Sequence, residues 1–143
     1  MNVFISYAHA SDTHKIWVRK LATALRRKSI HVTLDQDDLR LGQVIEQFQR
    51  QGISTSGRVL IICSDAYVAK CDTDWESGAR QEKELMRIEM AASTGTIKFI
   101  PVLRDNLTRK MPSCLIGRLW LDATDDKYFA NTVQRLVSEI SRT

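Results

Sequence analysis

The chain has 143 residues, 43% of them hydrophobic and 27% charged, with a formal net charge of +4. That length suits one domain with a core large enough to fold without disulfide or metal staples, and the composition is that of a globular domain rather than a disordered tail. No stretch approaches the roughly 18 apolar residues of a membrane span. The opening MNVFISYAHA lacks the apolar length and cleavage site of a secretory signal, so a cytoplasmic protein is expected.

The basic excess raises the question of nucleic acid. Lys15, Arg19, Lys20, Arg26, Arg27 and Lys28 share one segment, and the remaining cations are interleaved with acids. No aromatic-basic strand, zinc finger or basic zipper accompanies them, so the pattern is read as a solvated helix face, with a weak surface for phosphates or for an acidic partner domain as the alternative. Cys63, Cys71 and Cys114 are odd in number and form no CxxC pair, which speaks against a disulfide framework. His9, His14 and His31 do not fall at ligand spacing with them, and no metal is expected.

In chain order, Asn2–Ser6 (NVFIS) is a β-branched apolar run and predicts a strand. Ser11 or Asp12 can cap a helix in which Trp17, Leu21 and Leu25 recur at helical spacing. Ile30–Leu34 predicts a second strand and Asp35–Leu41 a polar loop. Gln43–Gln51 predicts a helix with Val44, Ile45 and Phe48 on one face and Gly52 as its stop. Arg58–Cys63 (RVLIIC) is a continuous apolar run, the mark of a strand buried on both faces. Ser64–Gly78 reads as a loop, and Ala79–Ala92 as a helix with Leu85, Ile88 and Ala92 inward. Phe99–Leu103 (FIPVL) predicts a strand whose Pro101 favours a bulge or a place near the sheet edge. Leu119–Asp122 predicts a last strand, and Phe129, Val133, Leu136, Val137 and Ile140 an amphipathic closing helix. Trp17, Trp120 and Phe4 are expected in the core.

Five strands alternating with helices predict an α/β fold: a five-stranded parallel sheet with helices on both faces. Ligands of such sheets bind beyond the carboxyl ends of the strands, where strand order reverses. That singles out the loops Tyr7–Asp12, Asp35–Gly42, Ser64–Gly78 and Arg104–Asn106. None carries GxGxxG, a P-loop, GxSxG or HExxH, which removes Rossmann-type dinucleotide binding, triad hydrolysis and zinc hydrolysis. The acids Asp35, Asp37 and Asp38 are read as a turn and helix entry, since the Gly and the bidentate Glu of an EF-hand loop are missing.

The ordered segments resemble one family. VFISYAHASD at Val3–Asp12, DQDDLRLGQ at Asp35–Gln43, RVLIICSDAYVAKCD at Arg58–Asp72, FIPVLRDN at Phe99–Asn106 and LWLDATDDKYF at Leu119–Phe129 resemble, in order, the boxes of bacterial TIR (Toll/interleukin-1 receptor) domains. Each box is weakly specific; the ordered set covers nearly the whole chain. The resemblance implies a flavodoxin-like fold for a single TIR domain over 1–143, compatible with its being the N-terminal fragment of a longer protein.

It also implies two activities. Some TIR domains bind other TIR domains as adaptors; others cleave NAD+ into nicotinamide and ADP-ribose or a cyclic form. The catalytic Glu of the latter maps to Glu82, with Glu84 second and Glu76 a distant third. Many relatives carry a Trp four residues before it, where this chain has Gly78; Trp75 lies three residues earlier. Nicotinamide leaves as a neutral molecule, so one carboxylate beside the developing ribosyl cation suffices, whereas ordinary glycosidases need two. Trp75 and Tyr7, with Phe4 as a strand alternative, are candidates to stack on nicotinamide or adenine. Ser6 and Asp35 lie at strand ends within reach of ribose or phosphate, and Arg40 or Arg104 could face a pyrophosphate. NAD+ enters as substrate and no cofactor is expected. Implied partners are other TIR domains and a fused sensor domain, with a role in bacterial defence; neither a membrane nor nucleic acid is expected for this domain. A third reading is a flavodoxin-like hydrolase or transferase acting on nucleosides, which would share the sheet and a catalytic Glu but not the ordered boxes.

Overall fold

A computed structural model describes residues 2–73 and 97–142. Its five strands are β1 (Asn2–Ser6), β2 (His31–Thr33), β3 (Arg58–Cys63), β4 (Phe99–Leu103) and β5 (Leu121–Asp122), all parallel, in the spatial order β2-β1-β3-β4-β5. The helices are α1 (Asp12–Arg27), α2 (Asp35–Asp38), α3 (Ile45–Thr55), α4 (Asp65–Thr73) and α5 (Phe129–Ser141). The predicted helix over Ala79–Ala92 lies outside the described residues.

Side chains alternate along a strand, so a sheet covered on both faces has two cores. Val3, Ile5, Leu60, Ile62 and Val102 face one way, onto Trp17, Val18, Leu21 and Leu25 of α1 and Val133, Leu136 and Ile140 of α5. Phe4, Val59, Ile61, Cys63, Phe99 and Leu103 face the other way, onto Ile53 of α3 and Tyr67 and Cys71 of α4. All six residues of β3 are buried, as its unbroken apolar run predicts. Full burial of a Leu or Ile contributes about 1.5–3 kcal/mol, so this strand anchors both layers.

Several elements differ from expectation. The polar loop after β2 opens with the single turn α2, whose Asp38 carboxylate accepts the Leu34 N–H at 2.8 Å. Helix α3 runs through Gly52 to Thr55. The glycine is there for packing: a Cβ on it would come within 2.2 Å of the Phe4 ring. Helix α4 replaces the described part of the loop expected over Ser64–Gly78, and Ser64 Oγ accepts the Tyr67 N–H at 3.1 Å at its start. The strand expected over Leu119–Asp122 shortens to Leu121–Asp122; Trp120 is 38% exposed rather than core, with Arg109 over its ring at 5.7 Å. Trp17 and Phe4 are buried as expected. Pro101 sits one strand in from the edge, on a stretch of β4 that β5 leaves uncovered, because β5 pairs only with Val102 and Leu103. Among the described residues, no helix is long and apolar enough to cross a membrane.

Candidate functional site at the strand tips

Strand order reverses between β1 and β3. The chain leaves β1 toward β2 on one side and returns to β3 on the other. Sheets of this kind take their ligands beyond the carboxyl ends of the two strands at which the order reverses.

Tyr7, the first residue past β1, points its hydroxyl at Asp35, the first residue of α2, donating to Oδ1 at 2.7 Å. His9 places Nε2 2.7 Å from Asp35 Oδ2. The Gln36 N–H donates to Oδ1 at 2.8 Å, and the Gln36 amide donates to the Tyr7 hydroxyl and to the Lys15 carbonyl, both at 2.9 Å. Asp35 therefore accepts three hydrogen bonds while only 7% exposed. Burial alone would favour its neutral form. The hydrogen bonds from His9 and Tyr7, with the Gln36 N–H, outweigh it and hold the carboxyl below its ordinary value. The Tyr7 phenol is pushed up, first by burial and then by donating to that carboxylate. An ionised carboxylate only accepts, so the His9 nitrogen facing it carries the proton.

A second histidine sits beside this group. The His14 ring lies 6.2 Å from the Tyr7 ring, centre to centre. Its Nδ1 is 2.6 Å from Asp105 Oδ2, past the end of β4, and the residue is 1% exposed. Asp105 adopts a left-handed backbone at φ 51°, and its carbonyl accepts the Asp65 N–H at 3.2 Å. The pair thus links α1, β4 and α4.

The remaining expected residues fall differently. Ser6 is 2% exposed and its hydroxyl lies 3.0 Å from that of Tyr67, joining the tip of β1 to α4. Arg40 is exposed after α2, and among the described residues no contact joins its side chain to the cluster. Arg104 does not face a ligand. Its guanidinium lies 4.8 Å from the centre of the Trp17 ring and donates to the Ala123 carbonyl at 3.1 Å and to Asp126 Oδ1 at 2.6 Å, so its charge is already paired internally. Asp37 and Asp38 pair with Arg19 and Arg26 of α1, fastening α2 to the basic helix face. Glu82, Glu84, Glu76 and Trp75 lie outside the described residues. His9, His14, Gln36 and Asp105 belong to the site without having been singled out for it. The available signal was position: His9 lies in the loop after β1 and Asp105 in the loop after β4, both already marked as strand-tip loops.

A flavodoxin-like parallel sheet with polar side chains gathered at its reversal point defines the class of α/β domain. Within that class the family is specific: a family model described as TIR domain matches Val3–Val137, and the chain belongs to this family. Among solved structures, a prokaryotic SEFIR domain is 24% identical, with a TM-score of 0.75 over 99% of this chain and 93% of that one. The TIR domain of the Toll-related receptor TRR-2 from Hydra magnipapillata is 18% identical, with a TM-score of 0.67 over 98% of each chain. The TIR domains of the activated Roq1 resistosome, which recognises the pathogen effector XopQ, are 19% identical, with a TM-score of 0.61 over 97% of this chain and 98% of that one. At these identities the likeness establishes the fold. No curated protein sequence matches the chain significantly.

Proposed function

We propose that this TIR domain is an NAD+ glycohydrolase that breaks the nicotinamide–ribose bond at the strand tips, releasing nicotinamide and ADP-ribose or a cyclic form. The observation that carries this reading is the Tyr7–Asp35–His9 cluster. The half-exposed His9 ring, held with Tyr7 by the buried, ionised Asp35 carboxylate at the reversal point of a TIR sheet, is a preorganised polar group of the kind a ribosyl reaction needs. Glu82 supplies the negative charge beside the ribosyl cation, with Glu84 as the alternative. Trp75 and Tyr7 offer aromatic faces to the bases, Ser6 and Asp35 polar atoms to the ribose, and Arg40 a charge to the pyrophosphate. The protein acts in the cytoplasm, in bacterial defence, through self-association triggered by a fused or associated sensor.

The adaptor reading has its own observation. Leu41 and Val44 between α2 and α3, and Ile45 at the first position of α3, are all exposed, an apolar knob suited to another TIR domain. It serves an assembling enzyme equally well. Concentrated protein incubated with NAD+ distinguishes the two. Release of nicotinamide that falls by ~10²-fold or more in Glu82→Ala supports the enzyme. Silence of the wild type at high concentration leaves the adaptor.

A further inference from the structure

We propose that His9 is the general base that takes the proton from the water attacking the ribosyl carbon, with Asp35 as the residue that sets its tautomer. The proposal rests on the NAD+-cleavage reading above and names the residue that handles the nucleophile.

Nicotinamide needs no proton to leave, but water must lose one to become the new hydroxyl. The water oxygen forms its bond to C1′ as the C1′–N bond breaks and that electron pair returns to the pyridine nitrogen. The water proton goes to a base and then to solvent. Water and NAD+ thereby become ADP-ribose, nicotinamide and one proton. A base for this step needs a free lone pair, access to solvent and a fixed orientation.

His9 meets each requirement. Nε2 is committed as donor to Asp35 Oδ2 at 2.7 Å, so the lone pair lies on Nδ1. Among the described residues no group pairs with Nδ1, and the side chain is half exposed. The ring packs on Tyr7 with centroids 4.8 Å apart. Asp35 is in turn held by Tyr7 and by the Gln36 N–H, and Tyr7 by the Gln36 amide. Base, orienting carboxylate and a third group fixing the carboxylate follow one another, as in other sites where a histidine moves a proton. Among the described residues, Tyr7 from the loop after β1 and Asp35 from α2 contact His9, and Gln36 holds both of them in place. His14 is the weaker candidate, because it is 1% exposed.

The test uses a competing nucleophile. A neutral pyridine such as 3-acetylpyridine attacks C1′ with a ready lone pair and gives up no proton, so its transfer product needs no base. The full chain is incubated with NAD+ and 3-acetylpyridine, and ADP-ribose and the exchanged dinucleotide are separated and counted. The proposal predicts that the ratio of hydrolysis to exchange falls by ~10²-fold in His9→Gln. It predicts the same direction in Asp35→Asn, where the amide can stabilise the wrong tautomer. Added imidazole should restore hydrolysis in His9→Gly. An unchanged ratio in His9→Gln, whatever the absolute rates, overturns the proposal and leaves NAD+ cleavage standing. A wild type that transfers the ADP-ribosyl group to neither acceptor overturns both.

Discussion

Asp35 shows how one buried carboxylate organises its neighbours. Tyr7 is a half-buried donor to it, and Tyr7→Phe removes one of its three hydrogen bonds while keeping the ring. A hydrogen bond to a charged group contributes about 1.5–3 kcal/mol, so a loss toward the low end is expected for this half-buried pair. Chemical denaturation of the variant beside the wild type measures it, and equal stability would mean that solvent replaces the hydroxyl. Asp122 makes a pH-dependent prediction. Hydrogen bonds from Arg109 and then Thr124 lower its carboxyl from 3.8 to about 2. A depressed carboxyl stabilises the fold above its unfolded value and ceases to do so as pH falls through its folded value. The stability gap between wild type and Asp122→Asn should therefore be constant above pH 3.8 and close as pH falls toward about 2. For so exposed a pair it stays below about 1 kcal/mol. A gap that persists unchanged to pH 2 contradicts the assignment.

The position of a residue is legible where loop placement decides it and illegible where its partners do. Tyr7 and Asp35 flank the site because they follow β1 and β2, which the apolar runs reveal. Arg104 also follows a strand, but whether it faces a ligand or the Trp17 ring depends on α1, far away in sequence. His9 carries no sequence signal of its own, because its partner Asp35 lies 26 residues away across β2.

At the scale of elements, period and run length carried the reading. The apolar run of β3 and the helical stripe of α1 and α5 name their burial directly. Helix α4 gives no such signal, because its apolar residues make no such stripe. Among its residues with described burial only Tyr67 and Cys71 are buried, and its start rests on the Ser64 hydroxyl. Strand β5 was overestimated because the apolar Leu119 and Trp120 look like strand residues but stay exposed. Gly52 was read as a helix stop although its role is contact with Phe4. The packing predicts that Gly52→Ala destabilises by about 1–3 kcal/mol through overpacking, even though alanine favours helix. A stability equal to or above that of the wild type would show that the Phe4 ring yields. Leu60→Ala, at the centre of β3, should cost about 2–5 kcal/mol in the same experiment.

At the scale of the whole molecule, the fold leaves two surfaces with different demands. The proposed function assigns the dinucleotide to the strand tips and self-association to the exposed Leu41, Val44 and Ile45. Leu41 is fully exposed, so Leu41→Glu should leave the melting temperature within about 2 °C of the wild type while lowering self-association seen by sedimentation. An unchanged sedimentation profile would remove the knob from assembly. The claim on which the rest depends is that the dinucleotide sits at the carboxyl edge of β1. It is tested most directly by titrating isotope-labelled protein with ADP-ribose and following amide and imidazole resonances. The account predicts saturable shifts at Tyr7, His9, Asp35 and Gln36. Shifts confined to the β5–α5 side, or none at millimolar ligand, would contradict it.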